Sequence, residues 1–102
     1  MWSVEFESSK VEIEVTKLIR TGKITSEDRL VITTWIRLIT EEGPARIQKE
    51  KRWDDHPLTA DWKGYRSSSF SNSGRIIYKI ENQVIKILIA RITPDHDYKR
   101  LK

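Results

Sequence analysis

No cysteine occurs among the 102 residues, so neither a disulfide nor a thiolate metal site can be built. Histidine is almost as scarce: His56 and His96 are the only two, too few for zinc chemistry. The four glycines spell out no Walker-type or Rossmann phosphate-binding pattern. No apolar run approaches the roughly 18 residues of a membrane span. The opening Met1-Trp2-Ser3-Val4-Glu5-Phe6-Glu7 lacks the basic and apolar regions of a secretory signal, so the expected compartment is the cytoplasm. Internal repeats and low-complexity segments are absent as well. Metals, cofactors and a membrane partner are therefore not expected.

What is present suits one compact domain over residues 1–102, since two domains would each be too small to bury a core. Hydrophobic residues make up 37%, with too much Ile, Val and Trp for a disordered chain. The net charge of +4 is unevenly spread: residues 1–60 are net −1 and residues 61–102 are net +5. A basic excess gathered in one part of a small domain suits an anionic partner, RNA or DNA first, or else is a solvated face.

Residues 2–7 alternate Trp2, Val4 and Phe6 against Ser3, Glu5 and Glu7, the period of a half-buried strand. Ser9 and Glu12 resemble a capping box, and Val11, Val15, Leu18 and Ile19 fall on one helical face that ends at Gly22. A second helix starts at Thr25 or Ser26 and stops at Gly43-Pro44. Its apolar stripe comprises Leu30, Val31, Thr34, Trp35, Leu38 and Ile39. Residues 44–64 read as irregular. Strands follow over 65–71, 75–80 and 84–92, joined as antiparallel hairpins. The order predicts an α+β fold: an N-terminal strand, then a helix hairpin on one face of a four-stranded, mainly antiparallel sheet.

Register decides where the cations point. A two-residue loop at Asn82 and Gln83 would set Lys79 opposite Lys86, so a three-residue loop from Glu81 to Gln83 is preferred. That register puts Arg75, Ile77 and Lys79 on one face with Arg91. Two arginines meeting there either hold a phosphate or each reach water at a strand end. Beyond the last strand, His96 and Tyr98 are the groups able to exchange protons. Internal RNA cleavage needs a 2′-hydroxyl deprotonated, phosphorane charge held and a 5′-oxygen protonated. Imidazole, phenol and guanidinium can supply all three. Lys63 and Arg66 flank Gly64 as candidate backbone-gripping cations, whereas Trp62 and Tyr65 read more readily as packing than as base-stacking groups. His56, within Asp54-Asp55-His56-Pro57, reads as structural or solvated, and the serines at 67, 68, 69 and 71 form no triad at readable spacing.

Several segments in order resemble the RelE/ParE superfamily of toxins: Pro57-Leu58, Trp62-Lys63-Gly64-Tyr65-Arg66-Ser67, Gly74-Arg75-Ile76-Ile77-Tyr78-Lys79-Ile80, the apolar strand over 84–92, and His96-Asp97-Tyr98. The resemblance implies a metal-independent endoribonuclease that cuts messenger RNA, typically in the ribosomal A site, and is neutralised by a cognate antitoxin. It assigns Arg75 and Arg91 to the phosphate, and His96 with Tyr98 to proton transfer. Lys63, Arg66, Lys79, Lys99 and Arg100 become substrate-gripping cations. The superfamily also contains gyrase inhibitors without nuclease activity, and a non-toxic nucleic-acid-binding module is a third reading.

Overall fold

Side-chain alternation makes the first element a strand, β1 (Ser3–Phe6), and its partly buried Val4 and Phe6 pack against the core. These details come from a computed structural model that describes residues 2–82 and 84–87. Helix α1 (Ser9–Arg20) follows. Its cap is Ser8 rather than Ser9: the Ser8 hydroxyl accepts from the Val11 amide at 3.3 Å, which places Ser9 inside the first turn. Val11 and Val15 are buried, with Leu18 and Ile19 partly so, as the spacing predicts.

Helix α2 (Ser26–Glu42) starts with a reciprocal capping box. The Asp28 amide donates to the Thr25 hydroxyl at 3.1 Å, and the Thr25 amide donates to the Asp28 carboxylate at 3.0 Å. Trp35, Leu38 and Ile39 are buried, but Leu30 is 70% exposed. Five residues at 100° each carry Leu30 about 140° round the helix from Trp35, beyond the arc the sheet covers. The expected stripe was too wide. Gly43, at φ 83°, ends the helix, and a Cβ there would sit 2.6 Å from the Trp2 indole nitrogen. The segment expected to be irregular contains a short helix, α3 (Pro44–Gln48), with proline at its start. It also contains 3₁₀ turns at Lys51–Trp53 and Ala60–Trp62.

Three further strands complete the expected sheet: β3 (Arg66–Ser69), β4 (Arg75–Glu81) and β5 (Val84–Ile87), with a two-residue strand, β2 (His56–Pro57), at the edge. Among the described residues the order is β1-β5-β4-β3-β2, with β1 parallel to β5 and the other pairs antiparallel. The α+β class is as expected, with one strand more, drawn from residues 44–64. Strand β3 is shorter than the 65–71 expected, because the Phe70 amide already turns to the Gly74 carbonyl at 3.0 Å. At Gly74 an added Cβ would lie 2.3 Å from the Phe70 ring.

The β4–β5 register differs from the expected one. Glu81 pairs with Val84, Ile80 with Ile85, and Lys79 with Lys86, so the loop is the two-residue one. Asn82 sits at φ 50°, the left-handed conformation that tight two-residue hairpin turns require and asparagine tolerates. The repulsion thought to forbid this pairing is relieved on Lys79 by two carboxylates, Glu81 at 3.3 Å and Glu7 at 3.6 Å.

Opposed residues in paired strands share a face. The register therefore divides β2–β4 into two sets. Pro57, Arg66, Ser68, Ile76 and Tyr78 look one way, and the Tyr78 ring meets Trp35 of α2 edge-on at 5.2 Å, so this is the helix side. His56, Ser67, Ser69, Arg75, Ile77 and Lys79 look the other way.

Candidate functional site

The turn Asp54-Asp55-His56 serves both sides of the sheet. Asp55 points to the helix side, where its carboxylate is fully buried. It accepts from Arg66 Nε at 2.6 Å, Ser68 Oγ at 2.6 Å and the Tyr78 hydroxyl at 2.5 Å. Three donors on one buried carboxylate satisfy it and cross-link β3, β4 and the turn. Burial, and then the neighbouring Asp55 charge, push the Tyr78 phenol well above its ordinary range. Burial works against the Arg66 charge, but the hydrogen bond and charge of Asp55 outweigh it and raise that pKa. Arg66, expected to grip RNA, is instead committed to this structural network.

On the opposite face the polar groups are not satisfied in the same way. Arg75 is only 11% exposed, and its Nη1 lies 3.0 Å from Asp54 Oδ2. That approach is not aligned as a hydrogen bond. Both Nε and Nη1 are buried without a hydrogen-bond partner among the described residues, as is Ser67 Oγ. Asp54 itself is 63% exposed and left-handed, at φ 45°.

His56 shares this face. Its Nδ1 stands 2.8 Å from the Asp54 carbonyl oxygen. A carbonyl can only accept, so Nδ1 is the donor in this contact and Nε2 is the ring nitrogen outside it. The reading of His56 as structural or solvated, which its contact with its own turn fits, gave it no direction, because the face of an irregular segment is undefined. Its pairing with Ser67 in β2–β3 supplies the face. Ser67 Oγ makes no hydrogen bond to it, so no serine nucleophile is activated there.

Lys79 lies on the same face, as expected, but is held at the β1 end. Besides Glu7 and Glu81, its ammonium stands 5.3 Å from the Tyr65 ring centre, and the Tyr65 hydroxyl donates to Glu7 at 3.1 Å. Burial opposes its charge, but Glu81 above all raises its pKa. Trp62 and Tyr65 are buried edge-to-face at 5.4 Å, packing groups as expected. Lys63 is exposed. Arg91, His96, Tyr98, Lys99 and Arg100 lie outside the described residues. The register argument that brought Arg91 to the face of Arg75 rested on the three-residue loop and does not stand. Among the described residues no group of three or more acidic or histidine side chains could hold a metal ion. No described helix is long and apolar enough to cross a membrane.

The same fold occurs in solved structures. YafQ from E. coli is similar at a TM-score of 0.63 and 20% identity, covering 85% of this chain and 88% of that one. A copper-bound mutant toxin from Helicobacter pylori gives 0.66 and 18%, covering 86% and 90%. The YoeB–YefM complex from Staphylococcus aureus gives 0.62 and 17%, covering 85% and 91%. This is a RelE-like toxin fold. No protein-family model matches the chain, and no curated protein does. At such identities the RelE-like likeness speaks to the backbone, and chemistry has to be argued from the side chains.

Proposed function

We propose that the chain is the toxin of a toxin–antitoxin pair, a metal-independent endoribonuclease that cuts messenger RNA, in the ribosomal A site, until its antitoxin binds. The observation that carries this reading is Arg75: a nearly buried guanidinium with two nitrogens that have no hydrogen-bond partner among the described residues, on the same sheet face as the His56 imidazole. A phosphodiester supplies the acceptors that such a guanidinium lacks.

In the reaction, His56 takes the 2′-hydroxyl proton and the 2′-oxygen attacks the adjacent phosphorus. Arg75 holds the charge that grows on the non-bridging oxygens, a task in which the family resemblance alone adds Arg91. The bond to the 5′-oxygen breaks, and His96, assisted by Tyr98, protonates the leaving oxygen. The products are a 2′,3′-cyclic phosphate and a free 5′-hydroxyl. Lys63, Lys99 and Arg100 contact the flanking RNA backbone. Two neighbours of this fold, DinJ–YafQ and YoeB–YefM, are toxin–antitoxin complexes, which supports a cognate antitoxin here.

Expression in cells, followed within minutes by mapping of messenger RNA 5′ ends, tests the reading. New ends with 5′-hydroxyls, lost in Arg75→Ala and in His96→Ala, are expected. Growth arrest with DNA damage and intact RNA would replace it with gyrase inhibition.

A further inference from the structure

We infer that the Asp54 carboxylate is a built-in stand-in for the substrate phosphate on Arg75, which RNA must displace before its own phosphodiester is gripped. The inference rests on the reading above, that Arg75 holds phosphate. The pair is unequal: Arg75 is 11% exposed and Asp54 is 63% exposed, so the anion can swing into water while the cation stays in place. Contact is confined to Nη1 and is off-axis, and Arg75 keeps buried N–H groups with no partner among the described residues. A phosphodiester, with two non-bridging oxygens, can meet a guanidinium at two points and so fills donors that Asp54 leaves open.

Asp54 is also held in readiness by the backbone. It caps the 3₁₀ turn, its amide donating to the Lys51 carbonyl at 3.0 Å, in a left-handed conformation. Its neighbour Asp55 is pinned on the other side of the sheet by three donors. The turn therefore does not have to move when the Asp54 side chain leaves. Without RNA the carboxylate spares a buried cation from standing unpaired. With RNA present it sets a threshold, so that weakly held small anions lose to it and a polyanion held at several points wins.

The test uses the full chain with labelled arginine side chains and follows the Arg75 Nε–H signal by NMR. Inorganic phosphate is titrated first, then a 2′-O-methyl RNA hexamer that cannot be cut. Asp54→Asn is the informative variant, because asparagine tolerates the left-handed backbone and only the charge is lost. It should bind both probes about two- to tenfold more tightly, the range expected for removal of one partly exposed competing charge. Glu81→Gln, an equal charge loss on the same face beside Lys79, should leave the Arg75 titration unchanged. Unchanged or weaker binding by Asp54→Asn overturns the inference, as does equal tightening by Glu81→Gln, which would reduce the effect to net charge. Tighter binding by Asp54→Asn, with unmodified RNA left uncut by both proteins, would sink the nuclease reading and leave the stand-in intact.

Discussion

Asp54 and Asp55 are consecutive, carry the same carboxylate, and serve opposite sides of one sheet. On the helix side Asp55 is sealed from water and answered by Arg66, Ser68 and Tyr78. On the other side Asp54 reaches into solvent and touches Arg75 at one nitrogen, leaving donors without a hydrogen-bond partner among the described residues. A saturated polar network stiffens a fold, because every group in it would lose a partner on moving. An unsaturated one stores a preference for a ligand. Stability and chemistry are thus assigned to different faces, with a single turn joined to both.

The sharpest way to break that division is at the ligand-seeking face. Arg75→Ala should lower RNA cleavage about 100- to 1,000-fold, the usual cost of removing one donor to developing charge. The thermal midpoint should change little, since the partner left behind, Asp54, is 63% exposed and can turn to water. His56→Ala should lower cleavage by about 100-fold or more. A His56 variant that cuts normally would strip the imidazole of its role. On the helix side the expectation reverses. Asp55→Ala should cost about 3–5 kcal/mol in urea denaturation, because it strands the Arg66 charge and two buried hydroxyls. If Asp55→Ala instead left stability intact, the two faces would not differ as argued. Tyr78→Phe, which removes one donor of the three, should cost about 1–2 kcal/mol at neutral pH.

Tyr78 also gives the contrast a pH signature. Its pKa is raised in the fold above the ordinary 10.0, so the protonated phenol is the form the folded state favours. The stabilisation is complete below that ordinary value and is lost as pH rises through it towards the higher folded value. Denaturation midpoints should therefore fall above about pH 10 in the parent chain, and Tyr78→Phe should show a shallower fall from a lower start. The smallest effect belongs to a site remote from both faces. Thr25→Ala should cost about 1 kcal/mol by removing half of the α2 capping box, with no change in cleavage.

Local chemistry made much of this architecture readable in advance. Alternation marked β1, and a cap at Thr25 or Ser26 with a stop at Gly43-Pro44 bracketed α2. These signals are carried by neighbours in the chain. What was not readable depends on distant partners. The Lys79–Lys86 pairing looked unfavourable because the carboxylate of Glu7, which relieves Lys79, comes from the other end of the chain. Arg66 looked like a free cation because Asp55, eleven residues before it, becomes its neighbour only through the β2–β3 pairing. The same pairing gives His56 a direction, and no periodicity announces a strand two residues long. Arg75 was singled out by a hairpin register that the structure replaces and by the family resemblance, before its counter-ion was known.

Gly74 is the residue before that arginine, and the ring of Phe70 fills the space its missing side chain leaves. The hairpin tip is thus plugged by an aromatic wedge, and the arginine leaves from a fulcrum that cannot tilt. A single methyl group added at residue 74 would jam the wedge and re-aim the guanidinium from a spot that the guanidinium itself does not reach.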